Sequence, residues 1–332
     1  MKRDSVQKPR LSEGSLRFSK KHVIESKMNI APAERGLGEA VLSPPSSQHI
    51  RIRKWHFCVQ GIVLLTFVVL LYSQVVKTLV YQWFEDPNYS HGLFVPLFSA
   101  LLLWKRRNVW RETPFRPALS GLALVVCAMC LLVLGTLGAE LFLPRVSLVL
   151  LIGGLLAYFA GWPMLRAFLA PWLCLFLMIP WPAIVFNEFA FPLQLLASRL
   201  ACSLLDLFQV PVLREGNVIM LPSMSLDVVE ACSGLRSLMS LITIAVFYSL
   251  LTERRIWMRY FLIALAIPLA VGMNALRIFG SALLAQYVDP QFAEGFFHTF
   301  SGIVLFLLSL GVLTGVHALS TRTSLIRKRL VV

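Results

Sequence analysis

Charged side chains are scarce in this chain. Of its 332 residues, 14% are charged and 57% are hydrophobic, whereas an average soluble domain is about 25% charged. This composition excludes an ordinary soluble globular protein. Apolar stretches that approach the roughly 20 residues needed to cross a bilayer recur along the chain, so the sequence predicts an integral membrane protein.

Cysteine is scarce as well, and its distribution does not predict a disulfide framework. Six cysteines are present. Cys58, Cys127, Cys130 and Cys174 lie in apolar stretches, where a thiol packs as a small hydrophobic group. Cys127 and Cys130 form an isolated CxxC pair, for which packing is favoured over metal binding. The sequence contains no metal-ligand spacing, phosphate loop or dinucleotide fingerprint, and we therefore predict no cofactor and no metal.

The alternation of apolar and polar segments predicts an all-α polytopic membrane protein of about eight transmembrane helices. The predicted spans cover residues 55–76, 87–104, 117–139, 146–165, 167–187, 237–252, 260–276 and 299–321. Residues 1–54 lack hydrophobic periodicity and are predicted to form a disordered, basic cytoplasmic tail. The transmembrane domain then covers residues 55–321, and residues 322–332 form a second basic tail.

Basic residues are distributed asymmetrically about these spans. In an alternating eight-span arrangement 25 of the 31 basic residues fall on one side. The others, on the opposite side or inside the membrane, are Lys77, Arg145, Arg199, Arg214, Arg236 and Arg277. By the positive-inside rule both termini are cytoplasmic in a multi-pass protein of the plasma (inner) membrane. The net charge of +14 is thereby explained by contact with membrane lipid, and no nucleic-acid partner is predicted.

Two segments are predicted on the outer side. The first, residues 85–92, connects the first two spans. The second runs from about residue 187 to residue 234. Its first half is helix-like but is interrupted by Arg199 and Asp206, and we interpret it as an interfacial or re-entrant helix. After Pro211, two short apolar runs flank Glu215-Gly-Asn217, which predicts a short outer-face hairpin; residues 226–229 are a candidate third strand.

Cys232 differs from the other cysteines in its position. It ends a polar segment and directly precedes an apolar helix, in Glu230-Ala-Cys-Ser-Gly-Leu-Arg-Ser237. Free main-chain N–H groups at a helix N-terminus favour an anion, and such a position lowers the pKa of a thiol. Arg236 adds positive charge one turn later. A reactive thiolate and a structural cysteine beside a glycine turn are both compatible with this local pattern.

Arg277 and His298 are two further candidates. Arg277 lies in an otherwise apolar span, where an arginine costs several kcal/mol unless it faces a polar interior, and Asn274 shares its helical face. His298 opens the last span on the outer side. The alternatives for Arg277 are that it reaches the outer headgroups or pairs structurally with a carboxylate. The alternatives for His298 are that it caps its helix or lies at the membrane interface. A thiol, a base and a fixed cation are together the groups that acyl transfer requires.

These motifs and their order resemble the exosortase/archaeosortase family. The resemblance rests on the 230–237 motif, on Asn274-Ala-Leu-Arg277 and on the His298 segment, and it extends to residues 86–92 and 215–222. It implies a membrane cysteine transpeptidase in which Cys232 is the nucleophile and Arg277 and His298 complete the catalytic site. The longer members of the family carry a further C-terminal soluble domain, to which no segment of this sequence corresponds.

The resemblance also implies the partners. The substrates would be secreted proteins with C-terminal sorting signals of the PEP-CTERM type, each made of a short motif, an apolar helix and a basic tail. The enzyme would cleave these signals at the outer face through a thioester and transfer the protein to an acceptor linked to exopolysaccharide or lipid. The alternative function is a transporter or a scaffold component of a polysaccharide export system. A transporter is disfavoured because the spans over 55–76, 117–139, 146–165 and 167–187 are almost purely apolar.

The predicted topology can be tested by labelling single-cysteine variants in intact cells with a membrane-impermeant thiol reagent. We expect cysteines at positions 217 and 289 to be labelled from outside. Cysteines at positions 110 and 257 should be labelled only after the membrane is permeabilised, because they lie in the basic loops. Labelling of position 110 from outside would contradict the topology.

Overall fold

The computed structural model describes residues 47–228, 234–289 and 295–330, with side chains described over 61–228, 234–289 and 300–322. The chain divides into two units, residues 1–60 and 61–332, and every contact below lies within the second. The predicted tail over residues 1–54 lies outside the described residues as far as residue 46; residues 47–54 belong to the first helix. The helices and strands are α1 (Ser47–Glu85), α2 (Phe94–Lys105), α3 (Arg107–Glu112), α4 (Gly121–Leu137), α5 (Phe142–Phe159), α6 (Trp162–Ala167), α7 (Leu169–Cys174), α8 (Ala183–Leu207), β1 (Leu213–Glu215), β2 (Val218–Met220), β3 (Ser225–Asp227), α9 (Leu235–Thr252), α10 (Ile256–Tyr287) and α11 (Gly295–Leu330).

The prediction of an all-α polytopic membrane protein is confirmed. Within the described residues six helices are long and apolar enough to cross a membrane, and two shorter apolar segments, Gly121–Leu137 and Leu169–Met178, accompany them. Large apolar side chains point away from the protein along these helices; Leu65 and Phe67 of α1, for example, are 63% and 64% exposed. An exposed apolar surface of this extent is what a lipid environment requires.

The two ends of the bundle differ in composition. At one end, here called the basic end, the Lys105 ammonium donates to the main-chain oxygen of Leu251, and Arg259 donates to that of Glu253 at 2.9 and 2.7 Å. The opposite end, here called the sheet end, carries β1–β3. The basic loops that the sequence assigns to one face are thus brought together at one end.

Two predicted spans are wrong. Residues 87–104 contain a 3-10 turn and the 12-residue helix α2, which at about 18 Å is too short to cross a bilayer core of roughly 30 Å. Residues 167–187 do not form a single helix, because α7 continues only as a 3-10 turn to Met178 and α8 begins at Ala183. The connection contains Pro180 and Pro182. A proline lacks the N–H that a helix requires and disfavours helical geometry at the residue before it, and this pair of prolines therefore ends the apolar run.

Helix α8 is as long as a membrane span, but both of its ends lie at the sheet end. Ala183 lies beside Asp86, at the end of α1. The later residues Ala201 and Leu205 pack with Ile219 of the sheet and with Ile278 in the second half of α10. The interfacial or re-entrant helix over residues 188–208 stays a prediction, because Ala183–Leu207 is also one of the six helices long and apolar enough to cross a membrane.

The predicted hairpin is present as part of a three-stranded antiparallel sheet in the order β1-β2-β3. Leu213 pairs with Met220 and Glu215 with Val218, so the turn is formed by Gly216 and Asn217. The sheet has no core of its own; Ile219 is fully buried against α8 and α10. The sheet therefore depends on the helices for its hydrophobic packing.

His317 ties α11 to the connection between α9 and α10 at the basic end. Its Nδ1 lies 2.8 Å from the Tyr248 hydroxyl and its Nε2 lies 3.3 Å from Oε2 of Glu253. The other carboxylate oxygen of Glu253 accepts from the main-chain N–H of Arg255 and of Arg254. The Arg255 hydrogen bond is the main factor that holds the pKa of Glu253 below its usual value. This cluster belongs to the basic end of the bundle.

Candidate active site

The candidate site lies where α9 begins, where α10 passes through the bundle, and along the first part of α11. Of the three predicted catalytic residues, the structure describes Arg277 completely. Cys232 lies outside the described residues, and His298 lies within α11 but its side chain is not described. The neighbours of these two residues in the chain, Gly234 and Gly302, are described, and both approach α10 closely.

Gly234 joins the cysteine motif to α10. It precedes α9 with φ of +78°, a left-handed conformation that a residue with a Cβ adopts only at a cost. A Cβ placed on Gly234 would lie 2.9 Å from the side-chain amide of Asn274, which is itself 5% exposed. The 230–237 motif thus requires glycine at this position for both its backbone conformation and its contact with α10.

Gly302 leaves space for the guanidinium of Arg277. A Cβ placed on Gly302 would lie 3.2 Å from Nη1 of Arg277, which is closer than ordinary van der Waals contact. Gly302 lies one helical turn after His298 on α11. Arg277, half-buried on α10, therefore points between α10 and α11 at the level where α11 begins.

A cavity of about 470 Å3 opens in front of Arg277. One wall is apolar and includes Ile303 and Leu307, which are 55% and 58% exposed. The other wall is polar and carries two guanidinium groups. The lining residues are Ser90, Gly234, Arg236, Ser237, Ser240, Arg277, Gly302, Ile303, Phe306 and Leu307. No carboxylate is among these described residues, so the cavity is suited to an anion or to a developing oxyanion.

The connection between α1 and α2 closes this region at the sheet end. The Arg236 guanidinium donates to Oδ1 of Asn88 over 3.3 Å, while the indole N–H of Trp83 donates to the main-chain oxygen of Met178 over 2.9 Å. The Tyr89 hydroxyl donates to the main-chain oxygen of Trp181 over 3.4 Å. The segment over residues 86–92 therefore connects α9 to the chain that follows α7.

His91 belongs to this connection, and its sequence context, after Tyr89-Ser90, is equally compatible with a substrate contact and with simple turn structure. The ring is half-buried. Burial lowers the pKa of His91, and hydrogen bonding to the main chain of Leu177 and Asn88 partly opposes that effect. Its Nδ1 is buried without a hydrogen-bond partner among the described residues, which agrees with a neutral imidazole.

Arg145 was not recognised as a functional candidate in the sequence. It is 3% exposed on α5 and lines a second cavity of about 470 Å3 at the sheet end. The signal that identifies Arg277, a single arginine in an apolar helix, is also present for Arg145. No motif accompanies Arg145, however, and in the sequence it is only one of the six basic residues that do not lie on the basic side of the spans.

The fold and the cavity define a polytopic membrane protein with a buried arginine site at one end of its helical bundle. The family model described as transmembrane exosortase (Exosortase_EpsH) matches residues 83–315, which is most of the chain. The protein belongs to the transmembrane exosortase family, as the resemblance of its motifs predicts. Comparison with curated proteins and with solved structures finds no match.

The lowered pKa of His91 predicts a dependence of stability on pH. An unperturbed histidine titrates near pH 6.5, and in the folded protein the pKa of His91 is lower. Between these two values the unfolded state binds more protons, so the free energy of unfolding should fall as the pH drops below about 6.5. We expect the melting temperature of the purified protein to decline from pH 7 to pH 5, and to decline less in His91→Gln. An equal decline in His91→Gln would contradict this assignment.

Proposed function

We propose that this protein is a membrane-embedded cysteine transpeptidase that cleaves the C-terminal sorting signals of secreted proteins. In this proposal the sheet end faces outward from the inner membrane, both termini are cytoplasmic, and Cys232, Arg277 and His298 form the catalytic site. The observation that carries the proposal is the cavity in front of Arg277. Its walls include Gly234 and Ser237 from the cysteine motif and Gly302, one turn after His298.

The charge of the cavity suits a thiolate nucleophile. Arg236 and Arg277 both line it, and positive charge near a thiol increases the fraction present as thiolate at neutral pH. Cys232 also precedes the N-terminus of α9, where main-chain N–H groups favour an anion. Together these features support the reactive interpretation of Cys232 over the structural one.

The proposed reaction is acyl transfer through a thioester. The Cys232 thiolate attacks the carbonyl carbon of the scissile peptide bond, and the Arg277 guanidinium donates hydrogen bonds to the resulting oxyanion. The C–N bond then breaks, and protonated His298 gives its proton to the leaving amine, which departs with the tail. The thioester is then attacked either by water or by an acceptor nucleophile linked to exopolysaccharide or lipid. This attack returns a proton to His298 and releases the thiolate.

The shape of the cavity suits a substrate that is itself partly in the membrane. The exposed side chains of Ile303 and Leu307 on α11 border the arginine pair on the side that faces away from the protein. An apolar substrate helix can contact this wall from the lipid while the peptide before it reaches the polar wall. This geometry supports a sorting signal with an apolar helix as the substrate.

Replacement of Cys232 tests the nucleophile. A serine hydroxyl is far harder to ionise than a thiol, so in Cys232→Ser we expect substrate to bind but remain uncleaved. His298→Ala should show a similar block, with residual cleavage where water carries the proton. The measurement is the gel mobility of a tagged sorting-signal substrate in cells that express each variant. Cys127→Ser, which alters an exposed cysteine on α4, is the control and should cleave normally. Full cleavage by Cys232→Ser would end the proposal.

Replacement of Arg277 tests the oxyanion donor. Arg277→Lys keeps the charge but loses the planar fork of the guanidinium, and the loss of one oxyanion donor costs about 100- to 1,000-fold in rate. We expect both Arg277→Lys and Arg277→Ala to slow cleavage in membranes that contain normal amounts of protein. The matched control is Arg199→Lys, at an exposed arginine on α8. Normal processing by Arg277→Ala would exclude this role.

A further inference from the structure

The second cavity at the sheet end has the properties of a binding site. Its volume of about 470 Å3 lies within the range of roughly 300 to 1,000 Å3 that is typical of ligand pockets. Three connections form it: the residues after α1, the residues between α4 and α5, and the Pro180–Pro182 segment before α8. They contribute Asp86, Glu140 and Trp181, among others.

Arg145 is the buried charge of this cavity. Its side chain is 3% exposed, and its Nε is buried without a hydrogen-bond partner. Among the described residues no carboxylate lies within ion-pair distance of its guanidinium. A buried charge without a hydrogen-bonded partner is costly. An anion that enters the cavity and accepts two parallel hydrogen bonds from the guanidinium would offset that cost.

The acidic residue nearest to Arg145 in the chain is already engaged elsewhere. Oε2 of Glu140 accepts from the main-chain N–H of Phe142 over 2.7 Å and from that of Leu143 over 3.1 Å. Glu140 thus caps the start of α5, where a carboxylate is favoured by the helix dipole. Its charge attracts Arg145 from a distance but leaves the guanidinium available to a ligand.

The other groups in the cavity select the kind of anion. Asp86 and Glu140 both line it, and their charges would repel a dianion such as a phosphomonoester more than a single carboxylate. The amide side chains of Gln82, Asn88 and Asn187 are also among the lining residues. An amide can both donate to and accept from a peptide main chain. This combination suits a carboxylate carried on a polypeptide.

The cavity adjoins the candidate active site. Asn88 lines the Arg145 cavity and accepts the hydrogen bond from Arg236, which lines the Arg277 cavity. The neighbouring Tyr89 lines the first of these cavities and Ser90 the second. The connection after α1 therefore lies between the two cavities, and a peptide bound in front of Arg277 would cross this connection to reach Arg145.

We propose that the Arg145 cavity is a substrate-recognition site that binds an acidic side chain of the peptide whose scissile bond lies at Arg277. This inference rests on the proposed function, because that function supplies a peptide to the neighbouring cavity. Arg145 acts in binding and takes no part in the chemical step.

Binding to the full-length Cys232→Ala protein in lipid nanodiscs tests the inference without any cleavage step. The probes are two end-blocked tripeptides, Ala-Glu-Ala and Ala-Gln-Ala, titrated by calorimetry. We expect the glutamate peptide to bind about tenfold more tightly, since a hydrogen-bonded charge pair is stronger than a neutral one. Arg145→Gln should remove this preference, and Arg199→Gln, at an exposed arginine, should preserve it.

Two further variants keep the test decisive. Arg145→Lys retains the charge and should still prefer the glutamate peptide, with reduced affinity. Where Arg145→Gln does not fold, an unreduced affinity for the glutamate peptide in Arg145→Lys would overturn the inference. Glu140→Gln should also keep the preference, whereas its loss there would indicate that Arg145 serves only as a structural counter-charge to Glu140. Equal affinity of the parent protein for the two peptides, or a preference that survives Arg145→Gln, would overturn the inference.

A third ligand separates a peptide from a lipid headgroup. Glycerophosphoethanolamine presents a phosphodiester without acyl chains, and we expect it to compete poorly with the glutamate peptide. Tighter binding of this compound would overturn the peptide assignment. Failure of the proposed function would be seen separately, as cleavage by Cys232→Ser. A Cys232→Ser block combined with unchanged peptide preference in Arg145→Gln would overturn this inference alone.

Discussion

The candidate site depends on the placement of one guanidinium group inside a helical membrane bundle. Arg277 lies in a mostly apolar helix of 32 residues. Gly302 presents no side chain against its guanidinium, which a Cβ at that position would approach to 3.2 Å. Gly234 similarly allows α9 to begin directly against Asn274, one helical turn before Arg277. The space around the guanidinium is therefore formed by contacts between helices that are distant in sequence.

The two cavities at the sheet end differ in the charged groups that line them. Arg236 and Arg277 line one cavity and Arg145 lines the other, and the connection after α1 separates the two. The cavity in front of Arg277 combines a cationic wall with an apolar wall, whereas the Arg145 cavity combines one buried cation with amides and two carboxylates. In the proposed function the first holds the scissile bond and the second reads the adjacent peptide. Catalysis and recognition would then be assigned to different arginines at the same end of the bundle.

Much of this architecture is predictable from sequence because bilayer physics restricts the possibilities. The lengths of the apolar stretches predict α9, α10 and α11. The basic loops meet at one end of the bundle, as their distribution in the sequence predicts. The prediction of a span over residues 167–187 is wrong because it rests on hydrophobicity, which does not reveal that Pro180 and Pro182 end the helix. Arg277 stands out because a recognisable motif surrounds it. Arg145 does not stand out in the sequence, because the cavity that it lines is formed by three connections that are far apart in the chain. Such proximity is a property of the fold, and no local pattern encodes it.

In the proposed site the positive charge of Arg277 favours the thiolate of Cys232, so the two residues must act in one shared site. The most direct measurement is the alkylation rate of Cys232 by an impermeant reagent as a function of pH, in a protein whose other cysteines are replaced. We expect rapid alkylation from the outer side that persists below pH 7, because nearby positive charge favours the thiolate. In Arg277→Gln the same rate should be reached only at higher pH. A pH profile that is identical in the two proteins would contradict the account.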